Sequence, residues 1–203
     1  IEALNAAAVR VYAAALRAGD EAAIAHNLPV ATTSFIGRER EMTEITAMLE
    51  RSRLLTLTGS GGTGKTRLAL QLATEALEQF PGGVWLVELA PLTEPELVPK
   101  AAASAMSLKE VAGEAPTQTL ANAIGEKKAL LLLDNCEHLI DAAAEVAHEL
   151  LIALPRLRVL ATSREPLAVE GESFVTLGPL TDADAERLFA ERVLAARGST
   201  ITD

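Results

Sequence analysis

The stretch Gly59-Ser60-Gly61-Gly62-Thr63-Gly64-Lys65-Thr66 carries the clearest chemistry in this chain. Its G-x-x-x-x-G-K-T spacing suits a polyphosphate, because glycines let a loop curl until consecutive backbone N–H groups all point inward at one anion. Gly59, Gly61, Gly62, Thr63 and Gly64 build that cradle. Lys65 then reaches the β/γ oxygens, the Thr66 hydroxyl ligates Mg²⁺, and the helix starting there turns its positive dipole end toward the phosphates.

Such a loop works with an acid at the end of a neighbouring strand, and Ala129-Leu130-Leu131-Leu132-Leu133-Asp134 provides one. Four consecutive leucines are too apolar for a half-exposed strand and read as the buried centre of a parallel sheet. Asp134 emerges at the strand's carboxyl end, the edge where open α/β sheets bind ligands, and is the candidate for holding Mg²⁺ directly or through water. The next residue is Asn135, and the nearest later acid is Glu137. An amide cannot take a proton from water and can only orient one. Either Glu137 serves as general base, or it is a first-turn acid on the helix that follows and hydrolysis is slow. Cys136 and His138 flank it, but no matching second pair of ligands occurs elsewhere to make a metal site. A third run, Arg158-Val159-Leu160-Ala161, leads into Thr162-Ser163-Arg164-Glu165-Pro166. Thr162 or Ser163 can hydrogen-bond a γ-phosphate or its attacking water, and Arg164 can set a guanidinium against phosphate oxygens. The alternative is a strand-terminal turn stopped by Pro166.

The elements needed to place these groups are legible around them. Leu54-Leu55-Thr56-Leu57 reads as the strand before the loop, and Leu68, Leu72, Ala76 and Leu77 recur at helical spacing after it. Pro81-Gly82-Gly83 turns into a strand over residues 84–89, in which Trp85 is a packing residue and Glu88 an exposed edge position. Helices are expected at about 95–106 and 117–125, with a loop over 109–116 between them; Leu139, Ala143, Val146 and Leu150 begin another helix, and residues 172–177 form a last strand. Strands alternating with helices argue for a three-layer α/β/α sandwich with a parallel sheet. Upstream, Thr33-Ser34-Phe35-Ile36-Gly37-Arg38-Glu39-Arg40-Glu41 opens a helix whose Met42, Ile45 and Leu49 share one face; Phe35 and Ile36 are an apolar anchor, either core or part of a base pocket.

Four segments taken in order, Phe-Ile-Gly-Arg-Glu-Arg-Glu at 35–41, the loop at 59–66, Leu-Leu-Leu-Leu-Asp-Asn-Cys-Glu-His at 130–138 and Ala-Thr-Ser-Arg-Glu-Pro-Leu at 161–167, resemble the STAND class of signal-transducing P-loop ATPases. The likeness is to NB-ARC-like modules of bacterial transcriptional regulators and cyclase-linked signalling proteins; it spans residues 27–195, with Asn27-Leu28-Pro29 matching the entry segment. The resemblance implies ATP or ADP as ligand with Mg²⁺. It implies adenine contacts from main chain around Phe35, Ile36 and Gly37, phosphate and Mg²⁺ contacts from Lys65 and Thr66, a Mg²⁺ ligand in Asp134 and a γ-phosphate sensor in Arg164. It also implies an architecture continuing into a small helical domain and a winged-helix domain. The expected function is a switch with slow Mg²⁺-dependent hydrolysis, fused effector and sensor domains, and ATP-dependent homo-oligomerisation. Asn135 departs from the Asp-Asp of many such modules. Expected domains are a helical extension and linker at 1–30, a nucleotide-binding domain at 31–178, and the start of a helical lid at 179–203.

Composition narrows the class further. With 203 residues, 49% of them hydrophobic, the chain can bury one substantial core. A single cysteine excludes a disulfide framework, no apolar run is long enough to span a bilayer, and cytoplasm is the expected location. A net charge of −10 argues against direct nucleic-acid contact, whose affinity is dominated by phosphates. Residues 1–26 are alanine-rich and read as one or two helices without chemistry. Against the switch stands a turnover enzyme, an AAA-type ATPase or a P-loop kinase. A kinase needs an acceptor pocket with a recognisable base, and a motor usually carries Asp-Glu where this chain has Asp-Asn.

Overall fold

A computed structural model describes residues 24–197; the alanine-rich stretch expected to be helical lies almost wholly outside them. The described chain runs α1 (Glu39–Arg51), β1 (Leu54–Thr58), α2 (Lys65–Glu75), β2 (Val84–Glu88), α3 (Val98–Ala105), α4 (Pro116–Ile124), β3 (Ala129–Asp134), α5 (Ile140–Ala153), β4 (Leu157–Thr162), β5 (Glu172–Thr176) and α6 (Asp182–Arg197). All strand pairs are parallel, and the sheet order is β2-β3-β4-β1-β5.

The strands explain themselves through burial. Every residue of β1 and β3 is buried, which only a sheet covered on both faces can provide. Side chains alternate across it. Leu131 and Leu133 of β3 join Val87, Val159 and Ala161 in the core beneath α3, α4 and α5, whereas Leu130 and Leu132 join Leu57, Leu68, Leu72 and Leu160 beneath α1 and α2. Three layers result, as the alternation of strand and helix patterns predicts. Truncating Leu131 or Leu132, each at most 1% exposed, to Ala would cost about 2–5 kcal/mol.

Helix boundaries follow local chemistry. Pro116 opens α4 at a position where a missing N–H costs nothing, and Thr181 starts α6 by accepting the Asp184 N–H on its hydroxyl. Trp85 is buried and Glu88 is exposed at the end of β2. The edge of β2 is closed by the entry segment: Ala25 O accepts the Val84 N–H, and the Asn27 side chain bonds both the N–H and the C=O of Leu86. Leu28, at the head of the expected linker, is buried in the α1/α2 core. At the amino end of the sheet, Arg53 donates to Leu151 O and Leu154 O at the end of α5, while Arg158 donates to Glu50 O and Ser52 O at the end of α1. Each arginine thus satisfies carbonyls that a helix C-terminus leaves open.

Candidate functional site

The carboxyl ends of β1, β3 and β4 converge on the loop between β1 and α2. Gly59, Gly62 and Gly64 have φ of 145°, 81° and 86°, values that side-chain-bearing residues rarely adopt. A Cβ built at Gly61, Gly62 or Gly64 meets no protein atom within 4 Å, so these three positions border open space. Gly59 differs, since a Cβ there would lie 2.6 Å from Leu177 O. Lys65, the first residue of α2, is 8% exposed and folds over the loop, donating to Gly59 O at 2.8 Å and Ser60 O at 3.0 Å.

Asp134, at the end of β3, is 9% exposed, and its Oδ1 accepts from the Thr66 hydroxyl at 2.7 Å and the Thr162 hydroxyl at 2.6 Å. Thr162 Oγ1 in turn accepts the Asn135 N–H at 2.9 Å, which helps hold Asn135 in the left-handed region at φ 66°. Thr66 and Asp134 therefore offer Mg²⁺ two adjacent hard oxygens, a donor set that suits an ion binding through one or two protein groups plus phosphates and water. No cluster of three His, Cys, Asp or Glu side chains able to hold a metal exists among the described residues.

Glu137 sits in the short 3₁₀ turn after β3, with its side chain 16% exposed. Its Oε1 pairs with Arg164 Nε at 3.1 Å, while its buried Oε2 receives no hydrogen bond from the described residues. Arg164 is 68% exposed, which makes the pair a weak electrostatic tie that can be exchanged. Cys136 is fully buried, and burial, then the charge of Asp134, push its thiol well above the ordinary range, which disfavours the thiolate that a nucleophile or a metal ligand needs.

These groups line two clefts that meet at the phosphate loop. The first, of about 460 Å³, is walled by Gly61, Gly62, Gly64, Lys65, Thr66, Asn135, Glu137, Thr162 and Arg164; of the other residues expected at the phosphates, Asp134 is hydrogen-bonded to two of these walls, Thr63 lines the second cleft, and Gly59 and the fully buried Ser163 line neither. The second, of about 520 Å³, lies on the loop's other flank between the strap at residues 33–38 and α6. Phe35 and Ile36 line it, and Phe35 also packs against the α1/α2 core. Gly37 is buried behind it at φ 70°, and a Cβ there would collide with Asp184 Cγ at 2.7 Å.

Three parts of this second cleft escaped the sequence reading. Arg38, buried and left-handed at φ 70°, donates to Thr63 O in the phosphate loop and to Gly178 O beyond β5. Leu180, Leu188 and Arg192 supply the wall opposite Phe35, with Arg192 donating to Ser34 O. Arg67 of α2 anchors the strap through Thr33 O. The available signal was the four-residue spacing of Asp184, Leu188 and Arg192, which puts them on one face of α6, with Leu180 just ahead of its first residue.

A family model described as an AAA ATPase domain matches residues 34–190, spanning the strap, the loop, both strand ends and the start of α6. The chain belongs to the AAA ATPase domain family. A candidate HTH-type transcriptional regulator of Mycobacterium tuberculosis is 44% identical over 147 residues, covering 72% of this chain and 16% of the relative. The chain thus spans about a sixth of the length of such relatives. Among solved structures, Cdc6p of Pyrobaculum aerophilum has a TM-score of 0.59 at 15% identity, covering 82% of this chain and 52% of that one. A STAND protein with a tetratricopeptide repeat sensor from Pyrococcus horikoshii has a TM-score of 0.54 at 18% identity, covering 89% and 28%. At such identities these two structures share the fold. Together the family and the regulator relatives make this AAA ATPase domain a P-loop ATPase module of the kind found in regulators, with nucleotide binding implied by membership. No helix among the described residues is long and apolar enough to cross a membrane.

Proposed function

We propose that this AAA ATPase domain is an ATP/ADP-operated switch module of a larger cytoplasmic regulatory protein, hydrolysing ATP slowly with Mg²⁺. The observation that carries the reading is the meeting of two unlike clefts at one phosphate loop, which fits a base on one flank and a reacting phosphate on the other. Phe35, Ile36 and the main chain at Gly37 would take one side of the adenine, with Leu180 and Leu188 of the lid opposite. Gly59, Gly61, Gly62, Thr63 and Gly64 present backbone N–H groups, and Lys65 exchanges its two loop carbonyls for phosphate oxygens. Thr66 and Asp134 would hold Mg²⁺, which when bound would supply neutralisation of phosphate charge. Arg164 leaves Glu137 for the γ-phosphate, and the freed carboxylate accepts the proton of a water that Asn135 orients. Fused sensor and effector domains and ATP-dependent self-association belong to the same proposal, and DNA contact is assigned to other parts of the parent rather than to this acidic chain.

The family description equally covers turnover ATPases, and the Glu137 carboxylate facing the cleft is compatible with one. Asn135 at the second-acid position favours the switch. Nucleotide affinity and steady-state turnover of the protein decide between them. We expect ATP and ADP to bind and turnover to stay below about 0.1 s⁻¹, two orders of magnitude under the ~10 s⁻¹ typical of enzymes. Turnover near that typical rate would establish the motor-like reading, and absence of nucleotide binding would overturn both.

A further inference from the structure

The polar network around Asn135 contains one member that the phosphate chemistry does not use. We propose that His138 is a positioning residue that fixes which end of the Asn135 amide faces the reacting-phosphate cleft; this rests on the hydrolytic part of the function proposed above.

The tautomer of His138 follows from its partners. Its Nε2 lies 3.1 Å from both Leu89 O and Leu92 O, in the loop after β2. Carbonyl oxygens only accept, so Nε2 carries the proton and donates to them. In the neutral ring Nδ1 then bears a lone pair and can only accept. Its neighbour is the Asn135 side-chain nitrogen at 3.3 Å, so the amide N–H donates to Nδ1. An amide has one donor end and one acceptor end. With the NH₂ committed to His138, the other end of this cleft-lining side chain is Oδ1, an acceptor. The reverse orientation would set two acceptors, Oδ1 and Nδ1, against each other.

This polarity matters for the proposed reaction. An acceptor at Asn135 takes one hydrogen of the attacking water and leaves the oxygen lone pair for phosphorus, while Glu137 takes the other proton. A donor at the same place would bind that lone pair and block attack. The backbone supports the arrangement from the other side, because the Asn135 N–H is held by Thr162 Oγ1. His138 itself is exposed, so hydrogen bonds rather than packing hold it, and they tie the loop after β2 to the reacting end of the site.

The test has two arms. Nitrogen-15 NMR of the histidine rings reads the tautomer without nucleotide; with three histidines in the chain, His138→Gln assigns the signal. A protonated Nε2 and an unprotonated Nδ1 are expected, and the opposite tautomer or rapid averaging would overturn the proposal. The second arm is single-turnover ATP hydrolysis beside ATP affinity. His138→Ala should slow the chemical step about tenfold with affinity unchanged within about twofold, and His138→Gln, whose amide can donate to the carbonyls and accept from Asn135, should restore most of the rate. Asn135→Ala should give the same loss, with the double variant no slower than either single one. Additive losses, or a fall in affinity parallel to the fall in rate, would refute positioning. A wild-type protein that hydrolyses nothing would defeat the hydrolytic reading and with it the catalytic consequence, while the NMR arm would still decide the tautomer.

Discussion

The two clefts that meet at the phosphate loop are built differently. The side proposed for the reacting phosphate is built on strand ends: Asp134 closes β3 in register with Glu88, and Thr162 closes β4 in register with Leu57. The side proposed for the base consists of a strap, a loop and the face of α6, three segments brought together across more than a hundred residues by single side chains such as Arg38. A sheet edge holds groups to fractions of an ångström. A wall resting on α6 is positioned by the β5–α6 connection and by hydrogen bonds such as Arg192 to Ser34 O. On the proposed function, chemistry would sit on the rigid side, and the part able to report the state of the ligand would sit on the adjustable one.

The most disruptive test removes what both sides share. Lys65→Ala is expected to weaken ATP and ADP binding by a hundredfold or more, roughly 3 kcal/mol of charge-assisted hydrogen bonding. Titration with a fluorescent nucleotide measures it, and circular dichroism confirms the fold; unchanged affinity in a folded variant would refute the loop assignment. Next, on the rigid side, Glu137→Gln should slow single-turnover hydrolysis about a hundredfold, and more than Asn135→Ala does, because only the carboxylate accepts a proton. A wild-type rate would return Glu137 to the role of a helix-start acid.

Asp134→Ala should abolish most of the Mg²⁺ enhancement of ATP affinity while leaving metal-free binding nearly unchanged. Calorimetry with and without Mg²⁺ reads this directly, and a fully retained enhancement would remove Asp134 from the metal site. The smallest effects sharpen the contrast most. Leu188→Glu, on the adjustable wall, should weaken ATP and ADP equally, by about tenfold for a lost apolar contact and a misplaced charge, whereas Arg164→Ala should weaken ATP alone. Should Leu188→Glu change only ATP, the division into a base side and a phosphate side would be wrong.

The same contrast explains what was legible before the structure. The run of leucines ending at Asp134 and the strand ending at Thr162 announce themselves because a fully buried parallel strand needs unbroken apolar residues, and the first polar residue marks its ligand-facing end. The three-layer architecture follows from the same periodicities. Arg38 was illegible in its role. Nothing in Gly37-Arg38 signals that both residues are left-handed or that the guanidinium would be buried across the loop, because its carbonyl partners carry no side-chain signature. Leu188 and Arg192 read as ordinary positions of a helix, since the wall they form exists only after β5 has paired with β1 and carried α6 back over the strap.

The connection between β5 and α6 gives that wall mechanical leverage. All five residues of β5 are in register with β1, so this strand travels with the phosphate loop, and α6 begins at Asp182 after a link that includes Gly178 and Pro179. Sixteen residues of helix make an arm about 24 Å long at 1.5 Å per residue. Pivoting that arm by about 10° at the link would carry its far end about 4 Å, while the near end, beside Leu180, moves by a fraction of an ångström. Arg38 clasps the pivot itself through Gly178 O, and on the same lever Leu188 would move about 1.6 Å and Arg192 about 2.6 Å, so a small change in the wall of the second cleft grows along α6 into a displacement the size of a side chain at its far end.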